Sequence, residues 1–356
     1  MSTCADRSRR DFIKASLWGG AALAAWPWGR AGAALVEPTP AAAASRVALT
    51  AGNDHADLIF KSLQPFQKEI ARAIGERMVI IKPNNVGTQV ALCATPAQSL
   101  EGILEFLKSI CKDKNVIIAE SAASGPTFEG FSNYGYERLA GKYGAKLVDL
   151  DAQPIEVVQV FDEKDFRPHP MRTSKLLLDR NNFIISAAKF KTHDRVVATL
   201  SLKNIVVGAP VKDLGFRWGP ASKAGARNDK PIMHGNGFRG INYNLFALAS
   251  KLRPDLAVID GYEGMEGEGP ISGTAVDHRV AVSSLDWVAA DRVALELMGI
   301  DYAKVGYLNY CAGAGLGQGD LSKIEILGPA LKEHIKPYKL AKNIEQQLIW
   351  MQPVKS

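Results

Sequence analysis

Two lysines and a histidine alternate at Lys189, Lys191 and His193, directly after an apolar run. In an extended chain residues two positions apart point to the same side, so we expect these three side chains on one face and Asp194 on the other. Like-charge repulsion and burial both lower the pKa of a lysine, which makes its amine a usable base or nucleophile near neutral pH. The pattern predicts a catalytic or anion-binding cluster, with a solvated basic loop as the alternative.

Lys203 and Asn204 interrupt a second apolar run, from Thr199 to Gly208. A charge inside such a run is costly unless it meets a carboxylate, a ligand or solvent. Lys203 is therefore predicted either to face a ligand or to form a structural salt bridge. His234 is a second candidate histidine, although a lone histidine more often has a structural hydrogen-bonding role.

The densest group of carboxylates lies between residues 260 and 273, interleaved with five glycines. Glycines allow the backbone to approach a ligand closely, and carboxylates supply metal ligands or acid–base groups. The spacing matches neither an EF-hand loop nor a P-loop. We expect an acidic glycine-rich loop that holds a divalent metal or supplies a conjugate acid, with a merely solvated loop as the alternative.

These patterns assign a predicted role to eleven residues. The catalytic candidates are Lys191, His193 and Lys203. The ligand-binding candidates are Lys82, Asn84, Lys189, Asn204 and His234. The metal-ligand candidates are Asp260, Glu263 and Glu266.

Short apolar runs alternate with segments of helical spacing, which predicts an α/β fold with a largely parallel sheet flanked by helices, in one body or two lobes. The strand candidates are residues 46–50, 78–82, 115–119, 146–149, 183–186, 256–259 and 279–283. One helix is predicted to begin at Thr95 and end near Cys111, and the others cover residues 56–74, 131–143, 240–252 and 287–298. Because the carboxyl ends of parallel strands meet at one edge, the polar residues that follow four of these strands are expected together.

The helix predicted at 287–298 carries two acidic residues with different expected roles. Asp286 precedes it and is predicted to be its N-cap. Asp291 falls on the apolar side of the helix, so we expect a buried carboxylate that needs a cationic partner.

The amino terminus contains Arg9 and Arg10, then a modestly apolar run and the small residues Ala31-Gly32-Ala33. This order resembles a twin-arginine signal peptide, which implies the twin-arginine translocase as a partner and a periplasmic or otherwise exported protein. The run is too short and too rich in Ala and Gly for a stable membrane span. The predicted organisation is a signal at 1–33, a linker at 34–45, an α/β domain at 46–330 and a C-terminal helical extension at 331–356.

Charge argues against a nucleic-acid partner, and cysteine spacing argues against a cysteine-bound cluster or metal. The chain has a net charge of +6, of which three come from residues 1–33, where five basic side chains face two acidic ones. The remaining balance is too slight to predict a nucleic-acid partner. Cys93, Cys111 and Cys311 form no C-x-x-C pair, so we expect neither an iron–sulfur cluster nor a structural zinc site.

Several of these stretches together resemble the DUF362 family, a domain of unknown function. The matching motifs are Ile81-Lys82-Pro83-Asn84, Lys191-Thr192-His193, Ser201-Leu202-Lys203-Asn204 with Gly208, Asp260-Gly261 with Met265 to Pro270, and Ser284 to Gly299. The resemblance spans about residues 46–327 and implies a domain boundary and a site location rather than a reaction. Many relatives carry a ferredoxin-like cysteine-rich module that this chain lacks, so the resemblance implies no iron–sulfur cluster here.

The function predicted from these residues is that of an exported enzyme in which a basic wall faces the acidic loop across one cleft. Such a cleft would bind an anionic small molecule and carry out proton abstraction beside a carboxylate, or metal-assisted hydrolysis with a divalent cation. The alternative is a non-catalytic periplasmic ligand-binding or cofactor-delivery protein. It would use the same cations without needing altered pKa values.

Overall fold

A nine-stranded sheet forms the centre of the protein, whose structure, a computed structural model, describes residues 45–353. The strands of the described residues are β1 (Ser45–Ala51), β2 (Val79–Pro83), β3 (Val116–Glu120), β4 (Lys146–Asp149), β5 (Ile155–Phe161), β6 (Pro168–Ser174), β7 (Phe183–His193), β8 (Val197–Thr199), β9 (Leu256–Glu266), β10 (Thr274–Ser284) and β11 (Ile324–Leu327). Nine of them form this sheet, in the order β11-β1-β10-β9-β7-β2-β3-β4, with β8 paired to β7. All of these strands run parallel except β10 and β8, so the predicted α/β fold with a largely parallel sheet is confirmed. The predicted signal at residues 1–33 lies outside the described residues.

Six of the seven predicted strands begin within one residue of the apolar run that predicted them, whereas β10 begins at Thr274 instead of residue 279. Strands β5 and β6 form a separate antiparallel hairpin that was not predicted.

Helices cover both faces of the sheet. They are α1 (His55–Leu63), α2 (Gln67–Ile74), α3 (Ala97–Ser109), α4 (Thr127–Asn133), α5 (Tyr136–Tyr143), α6 (Lys175–Leu178), α7 (Ser201–Gly208), α8 (Phe238–Ala249), α9 (Trp287–Leu297), α10 (Gly306–Gly313) and α11 (Ile344–Gln347). A 3₁₀ turn at Gln64–Phe66, with Pro65 inside it, divides the predicted helix at 56–74 into α1 and α2. None of the helices in residues 45–353 is long and apolar enough to cross a bilayer.

Alternation along the strands divides the apolar core into two layers. In β2, Ile80 belongs to one buried cluster, together with residues of α7, α8, α9 and α10. Its neighbours Val79 and Ile81 belong to the other cluster, with residues of α1, α2 and α3. Since successive side chains in a strand point to opposite faces, the near-continuous apolar runs reflect a sheet buried on both sides.

Strands β7, β9 and β10 are longer than predicted, and the extensions of β7 and β9 correct the expected position of two polar segments. Strand β7 continues to His193 with every residue buried, so the lysines at 189 and 191 lie inside the sheet instead of after it. Strand β9 continues to Glu266 and pairs with β10, so much of the expected acidic glycine-rich loop is a β-hairpin arm. Both extensions are stabilised by pairing with neighbouring strands, which apolar periodicity does not reveal.

The segment after β11 crosses the β9–β10 hairpin and forms only short helical turns. Gly267 donates a backbone hydrogen bond to the Lys339 carbonyl at 2.7 Å, and Tyr338 Oη lies 3.1 Å from His278 Nδ1. Asn343 Nδ2 donates to the Asp194 carbonyl at 2.8 Å. This segment therefore holds the turn that follows β7 against the hairpin.

Candidate functional site

The carboxyl ends of β2, β3 and β7 meet helix α7 around a cavity of about 120 Å³. Its charged and imidazole lining consists of Lys82, Glu120, His193, Lys203, Lys230 and His234. Its other lining residues include Asn84, Asn85, Thr199, Asn204, Trp218 and Pro270. Six of the residues predicted from the sequence to bind or react with a ligand therefore line one cavity. They are Lys82, Asn84, His193, Lys203, Asn204 and His234.

A buried ion pair forms part of the cavity wall. Lys82 Nζ lies 2.8 Å from Glu120 Oε2, and both side chains are almost fully buried. The same ammonium donates to the Pro83 carbonyl at 2.9 Å and to Asn204 Oδ1 at 3.1 Å, so all three of its protons are used. Burial lowers the pKa of Lys82 and the Glu120 charge opposes that shift. Lys82 therefore has no free donor for a ligand, and Glu120 balances its charge.

Asn204 links this ion pair to the rest of the wall. Its Oδ1 accepts from both Lys82 Nζ and Asn84 Nδ2, and its Nδ2 donates to the Lys82 carbonyl and to Ser186 Oγ, each at about 3.0 Å. Asn84 Oδ1 in turn accepts from Lys191 Nζ. The Asn204 amide is fully engaged and that of Asn84 is held at both its oxygen and its nitrogen, so both residues act in this arrangement as supports of the cavity wall.

Lys203 differs from the other lysines of the cavity. It lies in the first turn of α7 and is only 5% exposed. Its Nζ has no hydrogen-bond or ion-pair partner among residues 45–353, although it lines the cavity. Burial, followed by the charges of Lys191 and Lys82, lowers the pKa of Lys203 to about 7. At neutral pH its amine is present in both protonation states.

Lys230 provides a second cation of low pKa. Its Nζ donates to the carbonyls of Gly208 at 3.0 Å and Pro210 at 2.6 Å. An ammonium has three protons, so one donor remains for a ligand. Burial lowers the pKa of Lys230 to about 7 against the opposing charges of Asp151 and Glu120.

Both histidines of the cavity are neutral at pH 7. Burial lowers the pKa of His193 well below its usual value, and the nearby Lys203 adds to that shift. Burial and Lys203 also lower the pKa of His234, to about 4. His193 Nδ1 accepts from the Arg195 amide at 3.0 Å, which leaves the proton on Nε2. Asp194 Oδ1 lies 3.2 Å from the same Nδ1, but this contact is not an ion pair because the ring is neutral.

Two further polar groups of the lining have no partner among the described residues. The side-chain amide of Asn85 and the hydroxyl of Thr199 are buried, and neither makes a hydrogen bond within residues 45–353. Buried polar groups are nearly always paired, so both are exceptions to the usual pattern. Their polar atoms have almost no accessible surface and the Asn85 side-chain amide packs against Gly130, so the cavity space is faced by the lysines instead.

Helix α7 is held in place by a carboxylate from α9. Asp291 Oδ1 accepts from the Ser201 amide at 2.8 Å, and its Oδ2 accepts from the Leu202 amide at 3.3 Å. The prediction that Asp291 has a cationic side chain as its partner is therefore wrong, because the N-terminus of helix α7 takes that place. Burial raises the pKa of Asp291 to about 7. Asp286 accepts from the Ala289 amide at 3.1 Å, which confirms its predicted role as N-cap of α9.

Lys189 and Lys191 lie outside the cavity lining. Lys191 Nζ donates to Asn84 Oδ1 at 2.5 Å and to the Cys93 carbonyl at 3.1 Å. Burial lowers the pKa of Lys191 to about 8. Lys189 Nζ is buried without a hydrogen bond among the described residues and pairs in register with Asp260 on β9. Of the alternating triplet, only His193 reaches the cavity.

The three predicted metal ligands also lie outside the cavity lining and have other contacts. Asp260 Oδ2 accepts from Ser99 Oγ at 2.5 Å and lies 3.0 Å from His55 Nε2. Glu266 accepts from the Lys339 amide at 2.9 Å, and Glu263 is exposed on the β9–β10 hairpin. Among residues 45–353, no group of three or more His, Cys, Asp or Glu side chains has the arrangement of a metal site. The donor set therefore does not fit a divalent cation.

A wider groove connects the cavity with the surface. The groove has a volume of about 620 Å³ and shares His193, Trp218, Pro231, His234 and Pro270 with the cavity. Trp218 is half exposed at this junction, on a loop whose backbone is anchored by a hydrogen bond from Trp218 N to the Ser124 carbonyl at 3.1 Å. Glu268 is the acidic residue of the β9–β10 connection that reaches the groove, so the predicted opposition of basic and acidic walls occurs only there.

Several lining residues were not among those predicted, including Asn85, Thr199, Trp218 and Lys230. Asn85 follows Asn84 directly, so the polar strand end was itself the available indication. Lys230 is placed by bonds to carbonyls about twenty positions earlier in the chain, which no local pattern reveals.

The chain matches a known protein family and is similar to a curated protein. The family model described as "Domain of unknown function (DUF362)" matches residues 79–296, a range that contains every residue of the cavity lining. The chain is similar to the thylakoid-associated protein sll1697 of Synechocystis sp., with 25% identity over 190 residues, which cover 51% of this chain and 54% of that protein. The chain thus spans about half the length of this curated relative. No solved structure matches the chain.

Proposed function

We propose a function for this chain, which belongs to the DUF362 family, from the chemistry of its cavity. The protein is an enzyme that binds a small organic anion and transfers a proton to or from it. Lys203 is the proton-transfer group in this proposal, and His193 assists it. Lys230 and the protonated form of Lys203 supply the positive charge that holds the anion, because Glu120 balances the charge of Lys82.

The observation that carries the proposal is the unpartnered Lys203 amine in a buried, cationic cavity. Three lysines and one carboxylate line this cavity, and its histidines are neutral, so protonated lysines leave an excess of positive charge. An amine with a pKa of about 7 is well matched to proton transfer near neutral pH. A protein that only binds anions gains nothing from such a pKa, because a permanently charged lysine would bind them better.

The size of the cavity limits the ligand. Its volume of about 120 Å³ is smaller than the roughly 300–1,000 Å³ of pockets for drug-sized molecules. We therefore expect an anion of a few heavy atoms, such as a short carboxylic acid. Divalent metal chemistry through Asp260, Glu263 and Glu266 is not part of the proposal.

Calorimetric titration of the full chain with malonate tests the binding step. We expect malonate affinity to fall as the pH rises through about 7, because Lys203 and Lys230 then lose their protons. Lys203→Met should weaken binding by at least about tenfold, which is about 1.4 kcal/mol. Lys189→Met is the matched control, since this lysine is also buried and unpartnered but lies outside the lining. Failure of the wild type to bind malonate would overturn the proposal.

Exchange of carbon-bound hydrogen tests the catalytic step. A panel of small carboxylic acids that includes lactate is incubated with the protein in D₂O, and the proton signal beside each carboxylate is followed by NMR. We expect protein-dependent loss of that signal for one acid, greatly slowed by Lys203→Met. Malonate binding without exchange on any acid would favour the alternative, a non-catalytic ligand-binding or cofactor-delivery protein.

We also propose that residues 1–33 direct export through the twin-arginine translocase, on the evidence of Arg9-Arg10 and the following apolar run. A reporter fused after Pro40 should then reach the periplasm. Replacing both arginines by lysine should abolish export, because the receptor recognises the guanidinium pair. Export that survives the double replacement would refute this assignment.

A further inference from the structure

Every lysine that lines the cavity can be compared by how its nitrogen is engaged. Lys82 Nζ uses all three protons on Glu120, Asn204 and the Pro83 carbonyl. Lys230 Nζ bonds two carbonyls. Lys203 Nζ alone among these three has no hydrogen bond to the described residues, so its lone pair is free for attack whenever the amine is neutral.

The surroundings of Lys203 suit a carbonyl group that carries an acid. The remaining donor of Lys230 can hold a carboxylate. The Nε2 proton of neutral His193 is a donor for a carbonyl oxygen. A buried lysine close to other cations is the kind of amine that forms imines with carbonyl substrates in proteins.

We propose that Lys203 forms an imine with a small 2-oxo acid, an inference that rests on the proposed anion-binding function and names its substrate class. The amine nitrogen attacks the carbonyl carbon and forms the C–N bond. The carbonyl oxygen then leaves as water with the two protons that the amine nitrogen gives up. The step needs no oxidant, reductant or metal. The imine nitrogen, once protonated, draws electrons from the neighbouring carbon, which makes a C–H or C–C bond beside it easier to break.

Borohydride trapping tests this proposal. The full chain is incubated with glyoxylate or pyruvate and sodium cyanoborohydride, and the product is examined by intact mass and by peptide mapping. We expect one reduced adduct per chain, located on Lys203, whose rate of formation at saturating 2-oxo acid rises as the pH passes through about 7. Malonate, which has no ketone or aldehyde group, should suppress the adduct by occupying the cavity.

Two variants of Lys203 test whether the adduct requires its amine. Lys203→Arg retains a cation but has no amine able to form an imine, so it should bind malonate and give no adduct. Lys203→Met serves if the arginine does not fold in the cavity, with thermal unfolding as the check of folding. Adducts spread over surface lysines and insensitive to malonate would overturn the proposal.

The outcomes separate this proposal from the function on which it rests. No adduct together with retained malonate binding would refute the imine and leave the anion-binding function standing. No adduct and no malonate binding would refute both. An adduct confined to Lys203 and suppressed by malonate supports both.

Discussion

Asp291 Oδ1 lies 2.8 Å from the backbone nitrogen of Ser201, which joins helix α9 to the first turn of helix α7. That turn carries Lys203, so a fully buried carboxylate fixes the backbone from which this cavity-lining amine extends, without itself lining the cavity. The Asp291 carboxylate is acceptor for two amides at a helix N-terminus, where negative charge is favoured. Burial nevertheless raises its pKa to about 7.

This raised pKa predicts a specific pH dependence of stability. The folded chain holds the Asp291 proton more tightly than the unfolded chain, so the stability it contributes is present below about pH 4 and is lost as the pH rises through about 7. Asp291→Asn cannot ionise. Its unfolding free energy relative to wild type should therefore increase from pH 5 to pH 8, by up to about 1.4 kcal/mol for each pH unit below 7.

Urea unfolding of both proteins at the two pH values measures this difference. All other titrating groups are shared by the two chains and largely cancel in the comparison. A difference in unfolding free energy that does not change with pH would show that Asp291 keeps one protonation state across the range.

The buried pair of Lys82 and Glu120 predicts a second outcome. Lys82→Met leaves an unpaired carboxylate in the cavity wall, and Glu120→Gln leaves an ammonium without its counter-charge. Each single replacement should lower the unfolding free energy by about 3–5 kcal/mol. The double replacement should cost less than the sum of the two, because no uncompensated charge remains. A double-mutant cycle from chemical unfolding measures the coupling, and additive losses would contradict it.

Strand ends explain how much of this site is predictable from the sequence. Lys82 and Glu120 end short apolar strands whose parallel pairing brings their carboxyl ends together, so local pattern and topology suffice. The interiors of β7 and β9 defeat the same reasoning. Lys191 is accommodated inside a strand because Asn84 and the Cys93 carbonyl, about a hundred residues earlier, accept its protons.

The acidic segment shows the same limit. Its glycines and carboxylates are typical of a ligand-binding loop, but the chain extends β9 and pairs it with β10. The Glu266 carboxylate then accepts a hydrogen bond from the Lys339 amide, which lies about seventy residues later in the chain. Long-range pairing of this kind decides which charged groups are free, and only the folded chain reveals it.

Gly208 gives a third prediction, because it makes room for Lys82. A Cβ at this position would overlap both Cε and Nζ of that lysine. The tail of Lys82 is buried and fully hydrogen-bonded, so it cannot move aside without losing those bonds. Gly208→Ala should lower the unfolding free energy by about 1–3 kcal/mol and weaken malonate binding.

The matched control is Gly141→Ala, in helix α5, where an added Cβ meets no atom within 4 Å. Alanine is the better helix former, so this variant should be neutral or slightly stabilised. Thermal unfolding of the two variants side by side provides the measurement. Equal behaviour would mean that Lys82 is not held where the ion pair requires it.

The last prediction concerns the turn that follows His193. Val197 pairs with His193 across the β7–β8 hairpin and has a φ of 69°, which is unusual for a β-branched residue. Its buried amide donates to Gln347 Oε1 at 2.7 Å, from helix α11 in the C-terminal segment. Gln347→Ala would leave that amide unpaired, which costs about 1–3 kcal/mol, and would loosen the hairpin that presents His193. We expect a lower melting temperature together with weaker malonate binding, while Gln346→Ala, an exposed neighbour in the same helix, changes neither. Loss of stability with unchanged malonate affinity would show that the C-terminal segment supports the fold without positioning His193.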